Sequence, residues 1–381
     1  MEQPSASWTS VDLKKFGSFE ILNTLADGAY VTNTNRDILF WNKAAERITG
    51  WPASAVVGKS CRDNILVHVD KDGHALCGQE HCPLHRSIVT GQASGEALLV
   101  FAQRQDGSRV PVEVTVAPIH NPSGEVVGGI EVFRDLSAGM EDQARARLIQ
   151  QQALQCRLRA DPRVEITVRY TPNEIIGGDF YRVEQLDANR YAVMIADVMG
   201  HGVAAALYTM QLRSLWEDYR AELAAPAGFV GILNNQLHIL ARDAGYFATG
   251  AVLTLDAGTG MLRYVRAGHP ALLVLRRDGR VETLDHQQPA LGMFPDLQYQ
   301  DVPAQLGDGE AVLLYTDGAM EIPGADGEEL GVDGLRKLVA EELASAGKLS
   351  LTHLEERLLQ LSQQVRLPDD LTLLQIRRAA D

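Results

Sequence analysis

Residues 190–207 read RYAVMIADVMGHGVAAAL. A run of apolar residues enters Asp197, glycines follow at 200 and 202, and an alanine-rich stretch of helical composition comes next. An apolar strand running straight into an aspartate holds that carboxylate at the rim of a sheet, on a rigid element. A neighbouring glycine lets the backbone approach an ion closely and offer a carbonyl. Three more aspartates sit at a strand end or a strand start beside a tight turn: Asp179 in IIGGDFY (175–181), Asp317 in LLYTDG (313–318) and Asp369 in PDDLTLL (368–374). Any one of these alone reads as an acidic turn after a strand. All four together read as converging carboxylates. Such a cluster repels itself and takes up protons unless a cation is present. With two hard divalent cations it becomes a binuclear site suited to in-line displacement at phosphorus.

Around this core the C-terminal half alternates strand-like and helical stretches. VEITVRYT, DFYRVEQL and TGAVLTLD have strand character, while VAAALYTMQLRSLWEDYRAEL and GFVGILNNQLHILARD have helical character. Residues 138–160, which include EDQARARLIQQQALQ, lack proline and are rich in Gln, Arg and Ala, which favours helix. Met140, Ala144, Arg147, Gln151, Leu154 and Leu158 follow a heptad spacing that the polar Arg147 and Gln151 interrupt. A coiled coil and a plain solvent-exposed helix both fit.

The N-terminal half has its own pattern. AYVTN and DILFWN are followed by short helices and a stretch rich in His, Cys and Gly. EALLVFAQR, RVPVEVTVAPI and EVVGGIEVFRDL then alternate with Asp106-Gly107 and Asn121-Pro122-Ser123-Gly124, strong hairpin signals. An antiparallel sheet with small helices on one face is expected. The whole chain is therefore read as α+β: a flexible tail at 1–17, a small domain at 18–137, a helical linker at 138–160 and a second domain at 161–381.

Composition bounds the function. With 35 basic against 50 acidic residues the net charge is −15, which disfavours nucleic acid and anionic membrane as partners. No stretch has the length of a bilayer-spanning helix, and MEQPSASWTS lacks the features of a secretion signal, so a cytoplasmic protein is expected. Four cysteines in 381 residues are not a secreted disulfide framework.

IIGGDFY, IADVMGHGVAAAL, VRAGHPALLVLRRDG, LLYTDGAMEI and PDDLTLL, in that order, resemble the successive motifs of SpoIIE/RsbU/RsbP-type PPM serine/threonine phosphatases over about 160–378. The resemblance implies the αββα sandwich, dependence on two Mn²⁺ or Mg²⁺ ions, and hydrolysis of phosphoserine or phosphothreonine by a metal-bridging hydroxide. It further implies that Asp197 bridges both metals, with the Val198 carbonyl on one of them. Asp317 and Asp369 complete the second metal's shell, Asp179 acts through metal-bound water, and Gly178 leaves room. Two positions depart from the pattern: Arg182 stands where the subgroup carries Asp, and Met199 where better-known relatives carry His. His201 and His269 are expected to shape loops.

ADGAYVTNTNRDILFWNKAAERITGW and RQDGSRVPVEVTVAPIHNPSGEVVGGIEVFRDLS resemble the opening and closing segments of a PAS domain over about 18–137. Cys61 in GKSCRDNI occupies the place of the flavin-reactive cysteine of light-sensing relatives, but Ser60, Ile65, Ala102 and Val112 replace the flavin-holding residues. Cys61, Cys77 and Cys82, with His68, His74, His81 and His85 nearby, form a candidate sensor site. It suits zinc or another metal, an iron–sulfur cluster or haem; a polar loop with small buried cysteines is the alternative. The arrangement expected is sensor, helical lever and effector, in a homodimer acting on a phosphorylated STAS-type anti-anti-sigma protein. A catalytically weak phosphatase-fold module that binds a partner in a signal-dependent way is the competing reading.

Overall fold

The computed structural model describes residues 18–380 apart from 64, 78–80, 157, 201, 242–244, 324–327 and 364–366. The expected tail at 1–17 and His201 lie outside the described residues. The chain divides into two compact units, Met1–Asp142 and Gln143–Asp381.

In the first unit, helix α1 (Ser18–Asn23) precedes strands β1 (Gly28–Asn33) and β2 (Ile38–Trp41). Helices α2 (Lys43–Thr49), α3 (Ala53–Val56) and α4 (Pro83–Thr90) follow. Strands β3 (Leu98–Gln103), β4 (Arg109–His120) and β5 (Val126–Asp135) then complete an antiparallel sheet in the order β2-β1-β5-β4-β3. Both predicted hairpins close, Gly107 N–H on the Arg104 carbonyl at 3.0 Å and Gly124 N–H on the Asn121 carbonyl at 2.9 Å. Asn42 starts α2: its side-chain oxygen accepts the Ala45 N–H at 2.7 Å, a helix-end donor that would otherwise lack a partner, and also the N–H of Ala29 on β1 at 2.9 Å. The core between helices and sheet holds Tyr30, Trp41, Leu66, Leu84 and Phe133.

Helix α5 (Ser137–Leu154) spans the boundary between the units. Most of its surface is exposed, as its polar composition requires, but Gln150, Ala153 and Leu154 are buried. These stand at i, i+3 and i+4, one face of a helix.

The second unit is a sandwich of two five-stranded antiparallel sheets covered by helices. Strands β6 (Val164–Thr171), β7 (Asp179–Gln185), β8 (Arg190–Val198), β9 (Ala248–Asp256) and β10 (Met261–Ala267) are followed by β11 (Leu272–Leu275), β12 (Val281–Leu284), β13 (Val302–Gln305), β14 (Ala311–Tyr315) and β15 (Leu371–Arg378). One sheet runs β13-β10-β9-β8-β7 and the other β12-β11-β14-β15-β6. Their facing sides meet through Val193, Ile195, Leu253, Val312, Leu314 and Leu374. Helices α6 (Gly202–Asp218) and α7 (Pro226–Ala241) cover the first sheet through Leu212, Trp216, Phe229 and Leu233. Helices α8 (Gly331–Ala346) and α9 (Leu351–Ser362) cover the second through Leu335, Val339, Leu354 and Leu358. Strand β8 is buried on both faces because a sheet packs on one side and helices on the other. That explains its unbroken apolar run, and this is the expected αββα layering.

Candidate active site

Both sheets deliver carboxylates to the same end of the sandwich. The register of β7 against β8 sets Asp179 directly opposite Asp197. From the other sheet, β14 leads into a 3-10 turn at Asp317–Ala319, and Asp369 and Asp370 immediately precede β15. Thr316 N–H donates to the Thr372 carbonyl at 3.1 Å and Thr372 N–H to the Thr316 hydroxyl at 2.9 Å, locking the two approaches together.

Asp179 is almost wholly buried. Its Oδ2 accepts the Thr316 hydroxyl at 2.8 Å and the Thr372 hydroxyl at 2.6 Å. Burial first, then the charges of Asp197 and Asp370, hold its pKa well above the carboxylate range, and the two hydroxyls pull it back. Asp197 is half-buried, and burial followed by Asp317, Asp369 and Asp370 pushes its pKa up to about 8. Asp317 is pushed up to about 6 by burial, Glu321 and Asp369. Asp369 is exposed, and its Oδ1 accepts the Asp370 N–H at 2.7 Å. The structure therefore brings all four sequence-predicted aspartates into one field. They are set more widely than a closed triad: among the described residues the only three ligand atoms all within 4.8 Å of one another are those of Asp70, Asp72 and His74. That trio is a self-satisfied turn in the first unit, where Asp70 Oδ1 accepts the N–H groups of Asp72 and His74.

Val198 is buried, and its N–H donates to the Gly178 carbonyl at 3.1 Å. A Cβ on Gly178 would sit 2.9 Å from the Val198 carbonyl oxygen and 3.1 Å from that of Gly200, so the glycine frees the space in front of both oxygens. The donor set is oxygen throughout, and its raised proton affinities are those of carboxylates that lack a neutralising charge. Hard divalent cations fit it.

Four contributors escaped the sequence reading. Asp370, buried, takes the Gly178 N–H on Oδ2 at 2.6 Å and the Asn173 N–H on Oδ1 at 2.8 Å, fixing the loop before Asp179. Thr316 and Thr372 are the partners of Asp179. The fourth is Gln150 of α5: its Nε2 donates to the Gly177 carbonyl at 2.7 Å and its Oε1 accepts the Gly177 N–H at 3.2 Å. The second aspartate of PDDLTLL was visible as a carboxylate, but nothing in the polar run around Gln150 marked that residue. Arg182 and Met199, the two departures, do not join the carboxylates. Arg182 donates to the Gln155 carbonyl at 2.9 Å and pairs with Glu217 at 2.7 Å, while Met199 is exposed. His269 is buried at the turn after β10, its Nδ1 3.0 Å from the Thr249 hydroxyl.

A family model described as stage II sporulation protein E matches residues 187–379. The chain belongs to the SpoIIE family. Residues 19–136 match the PAS fold. Among curated proteins, this SpoIIE-family chain is 34% identical to phosphoserine phosphatase RsbP of Bacillus subtilis over 161 residues, 42% of this chain and 40% of RsbP. It is 26% identical to phosphoserine phosphatase RsbU of the same organism over 231 residues, 60% of this chain and 68% of RsbU. The match thus spans less than half the length of RsbP. The fold is shared with the solved SiaA-PP2C domain of Pseudomonas aeruginosa, at a TM-score of 0.53 and 22% identity, covering 64% of this chain and 99% of that domain.

In the PAS-fold unit, Cys61 and Cys82 are buried and Cys77 is half-buried; all four cysteines of the chain are free thiols. His68 is buried and His74 exposed.

Proposed function

We propose that the chain is a signal-controlled, Mn²⁺- or Mg²⁺-dependent protein serine/threonine phosphatase. Its substrate is the phosphoserine or phosphothreonine of a STAS-type anti-anti-sigma protein. The observation that carries this reading is the convergence of Asp179, Asp197, Asp317 and Asp369 from two sheets onto one sandwich end, and the names of RsbP and RsbU support the reaction class.

Asp197, the Val198 carbonyl, Asp317 and Asp369 would hold the cations, with Asp179 behind them. When bound, two such ions offset the charge of the phosphoryl group and make a coordinated water acidic enough to attack at neutral pH. The rest falls to the chain's own residues. The hydroxyls of Thr316 and Thr372 favour the ionised form of Asp179 and fix its orientation. Asp370 holds the Gly178 amide, and with it the backbone facing the Val198 carbonyl.

Control by the PAS-fold unit would run through α5, because Gln150 on that helix grips the backbone two residues before Asp179. A shift of the helix would release Gly177 and loosen the carboxylate field. Leu148 and Ile149 on the same helix are 60% and 63% exposed, an apolar surface that supports a homodimer formed through the helix. We assign 18–137 to sensing, 138–160 to the lever and 161–381 to catalysis. A cytoplasmic setting accords with a net charge of −15; no helix among the described residues is long and apolar enough to cross a membrane. The side chain of Arg182 turns toward Gln155 and Glu217, which favours catalysis over a weak binding module. The test is hydrolysis of para-nitrophenyl phosphate by the full chain as Mn²⁺ is titrated. Turnover that saturates with Mn²⁺ is expected; turnover that persists unchanged in chelator would refute the metal dependence.

A further inference from the structure

The interior of the PAS-fold unit contains polar groups that the fold does not need. Glu131 lies on β5, the central strand of the sheet, paired with Tyr30 of β1 on one side and Val116 of β4 on the other. It is 1% exposed, and its Oε1 has no hydrogen-bond partner. His68 Nε2 lies 3.6 Å from that oxygen, in a side chain just as buried, and is likewise unpartnered. A carboxylate and an imidazole placed like this cost stability unless something compensates them.

Three thiols share the space. The His68 N–H donates to Cys77 Sγ at 3.1 Å, so this sulfur lies beside the backbone of the orphaned histidine. Cys61 and Cys82 are each 5% exposed and sit in the same core cluster as Tyr30, Leu66, Leu84 and Phe133. Cys61, Cys77 and Cys82 act on one another electrostatically, and Glu131 acts on Cys61 and Cys77. Sequence separations of 16 and 5 residues have thus been folded into one neighbourhood, together with the two unpartnered groups.

We infer that this cluster is a binding site for a single thiophilic divalent metal ion, zinc in class, with Cys61, Cys77 and Cys82 as sulfur ligands and His68 as the fourth. Three thiolates and one imidazole are a recurrent tetrahedral zinc set. The orientation of His68 fits: Nε2 faces Glu131, as in sites where a carboxylate orients a ligating histidine through its second nitrogen. With Nε2 turned to Glu131, Nδ1 would be the nitrogen that binds the ion. Tyr30, which lies opposite Glu131 in the register of β1 against β5, would extend the chain of support. No three of the four donor atoms lie within 4.8 Å of one another, so binding would have to draw the His68–Cys77 segment and the start of α4 together. Such coupling of metal binding to local structure is usual for thiolate sites.

The test uses the full chain with Mg²⁺ in excess to occupy the oxygen site, titrated with Co²⁺ under anaerobic conditions. The expected result is one tightly held Co²⁺ per chain with intense thiolate-to-cobalt charge-transfer absorption and tetrahedral bands in the red, both erased by Zn²⁺. Cys82→Ser should weaken the charge-transfer band, Cys156→Ser should not, and Glu131→Gln should lower affinity roughly 10- to 100-fold while leaving the band in place. Weak bands of oxygen-ligated cobalt alone would overturn the proposal. A brown chromophore with acid-labile sulfide in the isolated protein, meaning an iron–sulfur cluster, would also overturn it. So would three thiols that stay equally reactive to a thiol reagent with and without one equivalent of Zn²⁺. None of these readouts depends on phosphatase turnover.

Discussion

Gln150 and Gly177 are joined by two hydrogen bonds, the side-chain amide of one matched to the backbone N–H and C=O of the other. Thr209 accepts a further bond from the same nitrogen at 3.2 Å. Gly177 precedes Gly178 and Asp179, so a residue on a mostly exposed helix fixes the backbone at the rim of the carboxylate cluster.

Gln150→Ala removes both bonds to Gly177 and leaves that amide without its buried partner. At about 0.5–1.5 kcal/mol per bond, the Mn²⁺ concentration giving half-maximal activity should rise roughly 5- to 150-fold, with little change in the far-ultraviolet circular dichroism. An unchanged Mn²⁺ dependence would mean that the helix does not communicate with the site.

Thr316→Val and Thr372→Val each strip one hydroxyl from Asp179. These hydroxyls favour the ionised carboxylate against burial and the neighbouring charges. Without one of them Asp179 takes up its proton at higher pH, so the acid limb of the pH–rate profile should move upward. Activity should fall more at pH 6 than at pH 8. An equal loss at both would assign the hydroxyls a purely structural role.

His269 should make the phosphatase unit acid-labile. Burial and then the Arg266 charge depress its pKa to about 3. Between that value and its ordinary 6.5 the unfolded chain binds a proton that the folded chain refuses, so stability falls as pH drops through this window. The expected slope is about 1.4 kcal/mol per pH unit. Urea denaturation in chelator, comparing the wild-type chain with His269→Gln, should show a shallower pH dependence in the variant.

Gly318→Ala should damage fold and site together. The added Cβ would stand 2.1 Å from the Asp370 carbonyl oxygen, which belongs to backbone and cannot swing aside. A loss of about 1–3 kcal/mol is expected, seen as a lower melting temperature, along with loss of Mn²⁺-dependent turnover.

The strands that lead to Asp197 and Asp317 were legible because each is an apolar run ended by an acidic or glycine turn, the start of the strand at Asp179 because two glycines precede it, and the hairpins at Gly107 and Gly124 because their turn residues demand them. Gln150 was not legible. Its helix lacks a continuous apolar stripe, and a single buried amide leaves no periodic signal. Arg182 reads in sequence as a flaw in the site. Yet it lies on β7 beyond Asp179, where alternation turns it toward Gln155 and Glu217. Glu131 was hidden for a related reason: in IEVF it alternates like a solvent-facing residue, whereas the face it occupies is the interior.

The most direct measurement is phosphate release from a phosphoserine-bearing STAS-type protein by the full chain in Mn²⁺, beside Asp197→Asn. The account predicts turnover by the wild-type chain and its loss in the variant, with the folded state of the variant preserved. Equal phosphate release by both proteins would contradict it, because Asp197 would then have no part in the chemistry.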